Sequence, residues 1–295
     1  MFTRRNFLKI SSLAAAYLTG FAKKVYPDEY SNVFIAESED IKKAVRHAVD
    51  MAGGIARYVK KNDVVALKPN MAWARAPEYA ANTNPIVVAE VANLCFKAGA
   101  KEVYITDNPC NNPRSVFLLS EIPKHAEKTG AKVFIPQKRD YKEMKIGGQF
   151  IKEWDVLEVF KNVDKVINIP VAKQHGSSVL TSSMKNWLGA VGGFRGFMHQ
   201  NLHVAIYELA AFFRPDLNII DCSRVLLRNG PTGGNLNDVK VLNRIIATED
   251  QAAGDSVAAG YIGFSPESIE YLQIAQRKKF GNISKSAIKI YYEKI

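Results

Sequence analysis

The chain has 295 residues, 47% hydrophobic and 23% charged, an ordinary globular composition long enough for a sizeable core and unlike that of a disordered chain. Its 40 basic and 29 acidic residues give a net charge of +11, which suits an anionic ligand, an anionic membrane surface or simply a solvated basic face. No basic run is interleaved with aromatics, which argues against nucleic acid, and Cys95, Cys110 and Cys222 form no C-x-x-C pair, which excludes zinc-ribbon and ferredoxin-type spacings.

Residues 3–9 read Thr-Arg-Arg-Asn-Phe-Leu-Lys. This order resembles the twin-arginine export signal, S/T-R-R-x-F-L-K. An uncharged stretch over residues 10–22 follows, too short at roughly thirteen residues for a stable transmembrane helix. Gly20-Phe21-Ala22 offers small residues for cleavage before Lys23-Lys24. Residues 1–30 therefore read as a signal peptide and linker. The resemblance implies the twin-arginine machinery as a partner, folding before export, and a periplasmic or otherwise extracytoplasmic location. A leader left uncleaved would keep the protein at the membrane. Arg4, Arg5 and Lys9 supply three of the basic residues; the other 37 against 29 acidic residues leave +8. In an oxidising compartment an odd cysteine count leaves at least one thiol free or paired between chains.

From residue 31 strand and helix signals alternate. An apolar run at residues 32–36 predicts a strand, and the spacing of Ile41, Val45, Val49 and Ile55 predicts a helix over residues 40–61. A buried strand at 64–67 leads into Lys68-Pro69-Asn70, and a helix over 85–96 ends at Gly99. Cys95 falls on its apolar stripe. A strand at 103–106 precedes the Asp107-Asn108-Pro109 loop, in which Cys110 is an inert or a reactive thiol. A helix over 115–128, a strand at 133–135 and a hairpin over 141–154 turning at Gly147-Gly148 follow. A strand at 166–169 is stopped by Pro170. Then come a helix over 203–213, strands at 217–221 and 244–247, a helix from Asp250 and a helix over 266–278. No later run is apolar enough for a membrane span. The pattern predicts an α/β fold over residues 31–295, a mostly parallel sheet with helices on both faces, in one lobe or two.

In such folds ligands sit beyond the carboxyl ends of strands. Lys68, Asn70, Asp107 and Asp221 all follow or end predicted strands. The densest polar segment spans residues 170–193, where Lys173, His175, Lys185 and Asn186 lie among Gly, Ser and Thr. Small residues let backbone amides approach an anion and two lysines hold it; a surface loop with a helix cap explains the same composition. The phosphate-loop spacing is absent. His199 and His203, four apart, would share one helix face and bridge a metal ion, with His175 as a third ligand. Gly230 lies in the turn-rich Asn229-Gly230-Pro231-Thr232-Gly233-Gly234. Thr248 is a candidate helix cap, and Asp255 follows one turn later.

Together these segments resemble the domain-of-unknown-function family 362. The resembling pieces are Leu67-Lys68-Pro69-Asn70, residues 98–103, residues 173–193 with Met184-Lys185-Asn186, Arg214-Pro215-Asp216-Leu217 through Asp221, Asn229-Gly230-Pro231, and Ala247-Thr248 through Asp255. They span residues 64–260. Lys173-Gln174-His175-Gly176 fits the family's Lys-x-His-Gly element, whereas Thr248-Glu249-Asp250-Gln251 lacks a proline common in relatives. Some relatives carry a ferredoxin segment; the cysteines for an iron–sulfur cluster are missing here, and the sequence names no other cofactor and no oligomeric state. A more distant likeness is to nickel-dependent lactate-racemase-type folds.

The leading expectation is an exported enzyme of unassigned reaction with a small anionic ligand at the sheet's carboxyl edge. Lys68 and Asn70 would bind the ligand, Lys173 and Lys185 would stabilise charge, His175 would be an acid–base group or metal ligand, and Asp221 would orient a cation. Asn186, Gly230, Thr248 and Asp255 complete the expected binding set. The rival expectations are a non-catalytic periplasmic binding or cofactor-delivery protein, and a metal-binding protein using His199 and His203.

Overall fold

The computed structural model describes residues 30–295, so the twin-arginine-type leader expected from the sequence lies outside the described residues. Strand β1 (Ser31–Glu37) leads into α1 (Ile41–Met51), whose cap Asp40 accepts hydrogen bonds from the Lys42 and Lys43 amides. The helix expected over residues 40–61 is two helices. Gly53 and Gly54 take φ values of 100° and 78°, which end α1, and α2 (Ile55–Tyr58) starts afresh. β2 (Val64–Pro69), α3 (Pro85–Lys97) and β3 (Glu102–Ile105) fall where periodicity puts them. The helix expected over 115–128 also breaks. Glu121, at φ 56°, separates α4 (Pro113–Leu119) from α5 (Ile122–Ala126). β4 (Lys132–Val133) is followed by an antiparallel hairpin, β5 (Tyr141–Lys145) with β6 (Glu153–Leu157).

The strand before Pro170 ends at Ile169, as expected, but the chain does not leave the sheet there. β7 (Lys165–Ile169) runs beside β10 (Leu217–Leu226), and beyond the proline the chain resumes as β8 (Val171–His175), still beside β10. β8 then pairs antiparallel with β9 (Val179–Thr181). Lys173 and His175 therefore sit on a strand and not on a surface loop. The remaining elements are α6 (Leu202–Phe213), β11 (Val239–Thr248), α7 (Gln251–Tyr261), α8 (Glu270–Arg277) and β12 (Ile288–Lys294). Asp250 caps α7, accepting from the Ala252 and Ala253 amides, so the cap expected at Thr248 lies two residues later.

The main sheet has the order β12-β1-β11-β10-β7-β2-β3-β4. β11 is antiparallel to both its neighbours, and the other pairs along this path are parallel, so the sheet is mostly parallel as the pattern predicts. Strand residues alternate between two cores, as the two-residue period requires. Val65, Leu67, Ile219 and Ile245 face the core with α1 and α3, whereas Ala66, Ile220 and Ile246 face the core with α6, α7 and α8. Helices thus cover both faces. At one edge Phe34 stacks on Tyr291, and the Tyr292 hydroxyl donates to Glu37 (2.8 Å) across 255 residues. No helix among the described residues is long and apolar enough to cross a membrane.

Candidate functional site

Loops at the carboxyl ends of β2 and β3, together with the β8–β9 hairpin and the segment after it, enclose a cavity of about 540 Å³. That volume is ordinary for a small-molecule site. Asn70, Asp107, Lys173, His175, Thr181, Lys185 and Asn186 are among its polar lining residues. An asparagine relay fixes the floor. Asn70 Nδ2 donates to Asn186 Oδ1 (3.1 Å), and Asn186 Nδ2 donates to Lys68 O and Asn168 Oδ1 (each 2.9 Å). Asn168 in turn donates to Asn218 Oδ1 (3.0 Å). Each of these amides is buried, so each needs its partners.

Lys185 is held by its neighbours. The Asp255 carboxylate accepts from the Ser183 (2.6 Å) and Met184 (3.1 Å) amides, while Trp187 is buried against Phe213 with centroids 4.6 Å apart. The Trp187 indole N–H donates to Gln251 (2.6 Å). Between these anchors the Lys185 amine lines the cavity with no hydrogen bond or ion pair among the described residues. Gly189 passes so close to Asp107 that a Cβ there would lie 1.9 Å from Oδ1, and its carbonyl accepts from the Asn108 amide (2.8 Å). Only glycine fits that approach.

The charges are unbalanced. Among the described residues Asp107 is the one carboxylate lining the cavity, and buried Lys68 neutralises it at 2.8 Å. Lys173, Lys185 and Arg195 remain. Lys173 donates to Asn70 Oδ1 (3.1 Å) and to the Ala81 carbonyl, both neutral acceptors. Burial, with the nearby Lys185 charge second, holds Lys173 down to about 7. Burial brings Lys185 down to about 8. His175 is pushed down to about 3 by burial, then by Lys185, Lys173 and His199. Its Nδ1 accepts from the Ser177 amide (3.1 Å), so the neutral ring carries its proton on Nε2. A neutral His175 presents this Nε2–H to the cavity as a hydrogen-bond donor. Thr181 is buried, lines the cavity, and its hydroxyl has no hydrogen-bond partner among the described residues.

Other expected residues lie elsewhere. Lys68 sits beneath the floor as the counter-ion of Asp107. Asp221 accepts from the Asn84 (2.7 Å) and Ser223 (2.9 Å) amides and pairs with no cationic side chain among the described residues, and its strand runs on past the rim expected at 221. Thr248 donates to Asn32 O (2.8 Å) within the sheet. Asp255 anchors the Lys185 segment, and burial raises its pKa to about 6. Gly230 packs on the Gln174 backbone and delivers Pro231 to the rim through a cis bond.

His199 lines the cavity, but His203 faces Glu270 and Tyr271 instead. The expected pairing assumed α-helix, whereas Arg195–Asn201 is a 3-10 helix whose tighter winding turns residues four apart onto different sides. Among the described residues no group of three His, Cys, Asp or Glu side chains is arranged for a metal ion. Sequence reading missed Thr181 and Arg195. Thr181 carried no signal beyond its place in the polar segment, whereas Arg195 stood in the Gly192-Gly193-Phe194-Arg195-Gly196 cluster. The Arg195 guanidinium clamps three carbonyls, those of Asn108 (2.9 Å), Leu188 (3.1 Å) and Pro109 (2.8 Å).

The sequence model of the family described as "Domain of unknown function (DUF362)" matches residues 65–260, the region whose segments carried the resemblance. A thylakoid-associated protein of Synechocystis sp. is 28% identical over 259 residues, covering 82% of this chain and 76% of that protein. Among solved structures, the lactate racemase apoprotein of Thermoanaerobacterium thermosaccharolyticum overlaps with a TM-score of 0.44 at 11% identity, over 78% of this chain and 57% of that one. A protein from Thermotoga maritima overlaps with a TM-score of 0.38 at 10% identity, over 81% and 59%. The chain thus spans less than two thirds of either solved protein.

Proposed function

The chain belongs to the DUF362 family, and from that premise we propose that it binds a small anionic molecule in the cavity at the sheet's carboxyl edge and acts on it by proton transfer through Lys173 and Lys185. One observation carries this reading. Two lysines line a cavity whose single carboxylate is already neutralised by Lys68. An anion there would restore the charge that burial disfavours. The Thr181 hydroxyl, the Asn70 amide and the Nε2–H of His175 supply neutral donors beside it. Lysines brought to about 7 and about 8 exchange protons near neutral pH, which suits acid–base work.

The test is titration of the full chain with acetate and inorganic phosphate. Lys185→Ala and His175→Ala are each expected to weaken binding about tenfold or more. Wild-type affinity in both variants would overturn the site. A binding or delivery protein would use the same lysines, so turnover of whatever molecule is recovered with the protein from its host separates catalysis from carriage.

The leader extends the proposal to location. Thr3-Arg4-Arg5 with Phe7-Leu8-Lys9 supports export of the folded protein to an extracytoplasmic compartment. The thylakoid association named for the Synechocystis relative fits a protein that works at a membrane.

A further inference from the structure

Phe194 is 80% exposed at the cavity mouth. Its loop is nevertheless tightly fixed. The Gly192 amide donates to Asp155 O (2.8 Å), and the Trp154 indole N–H donates to Gly192 O (2.9 Å). Next along the chain, Arg195 clamps its three carbonyls, and Phe197 stacks on Phe150 with centroids 5.2 Å apart. Gly193 turns the chain at φ 63°, and a Cβ at Gly196 would lie 2.8 Å from the Phe194 ring. Phe194 itself stacks on no ring among the described residues. A large apolar side chain is thus held out in solvent by a pinned loop, over the mouth of a polar cavity. Exposed apolar surface of that kind marks a contact made with something else.

The lining is divided. Lys173, Thr181, His175 and Asn70 are buried at its floor, whereas Trp73 and Leu188 are only partly buried and Phe194 is exposed. Trp73 is fixed as well, because Asn82 accepts from its amide (3.0 Å) and donates to its carbonyl (2.8 Å). A bare anion such as free phosphate would use the floor and leave these rings wet.

Building on the anion-site reading above, we infer that the ligand is amphiphilic, an anionic head joined to a flat apolar body, with the head among Lys173, Lys185 and Thr181 and the body against Phe194 and Trp73. The rings then discriminate between anions that the floor alone would treat alike.

Benzoate and acetate share a carboxylate and differ in the ring, so their affinity ratio isolates the mouth. Titration of the full chain is expected to show benzoate binding about tenfold more tightly than acetate. Phe194→Ala should collapse that ratio towards one, and Phe194→Tyr should restore most of it. Phe194 is exposed, so these variants fold. Affinities within twofold of each other in the wild type, or an unchanged ratio in Phe194→Ala, would overturn the amphiphilic ligand while leaving the anion site standing. Failure of both carboxylates to bind would remove the anion site and this inference with it.

Discussion

The amine of Lys185 is available because the backbone on either side of it is anchored elsewhere. Asp255 holds the preceding amides, Trp187 wedges the following turn, and no carboxylate among the described residues reaches the side chain. Its charge therefore depends on pH and on the ligand. At pH 6 both Lys173 and Lys185 are protonated and attract an anion. As the pH rises through about 7 and about 8 each loses its proton, and affinity falls. Acetate stays ionised throughout, so the trend belongs to the protein. Acetate binding is expected to weaken about tenfold or more between pH 6 and pH 9, with protons taken up on binding near pH 8, because the anion raises both lysine pKa values. Calorimetric titration in buffers of different ionisation enthalpy reads both effects; affinity that is flat or rises with pH contradicts them. Much of this site was legible in the sequence. Lys173, Lys185, Asn70 and Asn186 stand out because polar residues among glycines after strands are rarely core. Asp221, Thr248 and Asp255 look the same on paper. What separates them is the backbone amides they accept from or the carbonyl they donate to, and those partners lie up to 216 residues away.

At the scale of elements, the β5–β6 hairpin holds the cavity's mouth in place. Its turn is tied to α6 by Glu208, whose carboxylate accepts from the Gln149 (2.7 Å), Phe150 (3.0 Å) and Ile151 (2.7 Å) amides. Gly148 is required beside it, since a Cβ there would lie 2.2 Å from the carboxyl carbon. Glu208→Ala leaves three amides without their acceptor and is expected to destabilise the protein by about 2–4 kcal/mol. Urea denaturation with an unchanged m-value measures it, and a loss below about 0.5 kcal/mol would show that the tie matters little. β1 to β4, β7, β10 and β11 could be read from short apolar runs and the hairpin from Gly147-Gly148, whereas β8 and β9 were hidden in a polar segment. The breaks in two expected helices could not be read from apolar spacing alone. Gly53-Gly54 gave a clue that the spacing of Ile55 masked, and Glu121 adopts a positive φ that its side chain does not advertise.

At the scale of the molecule, the proposed address and the described body make separate predictions. Arg4→Lys with Arg5→Lys is expected to retain the protein in the cytoplasmic fraction while leaving acetate affinity unchanged, because both substitutions keep the charge and leave the cavity lining, from Asn70 to Pro231, untouched. Fractionation followed by titration checks both, and undiminished export would remove the twin-arginine assignment. The overall class was legible because alternating strands and helices force crossovers and a largely parallel sheet. β12 was not. Ile288-Lys289-Ile290-Tyr291-Tyr292 is short and partly charged around its ends, and its reason to be a strand is β1, at the far end of the chain.

That pairing sets an order of events. β1 is the first described strand to be synthesised and β12 the last, and they lie side by side with Tyr292 bonded to Glu37. Contacts so distant along the chain form slowly, after the cost of closing the loop between them has been met. The outer edge of the sheet therefore stays open until β12, the last of the described strands, has been made and has found β1.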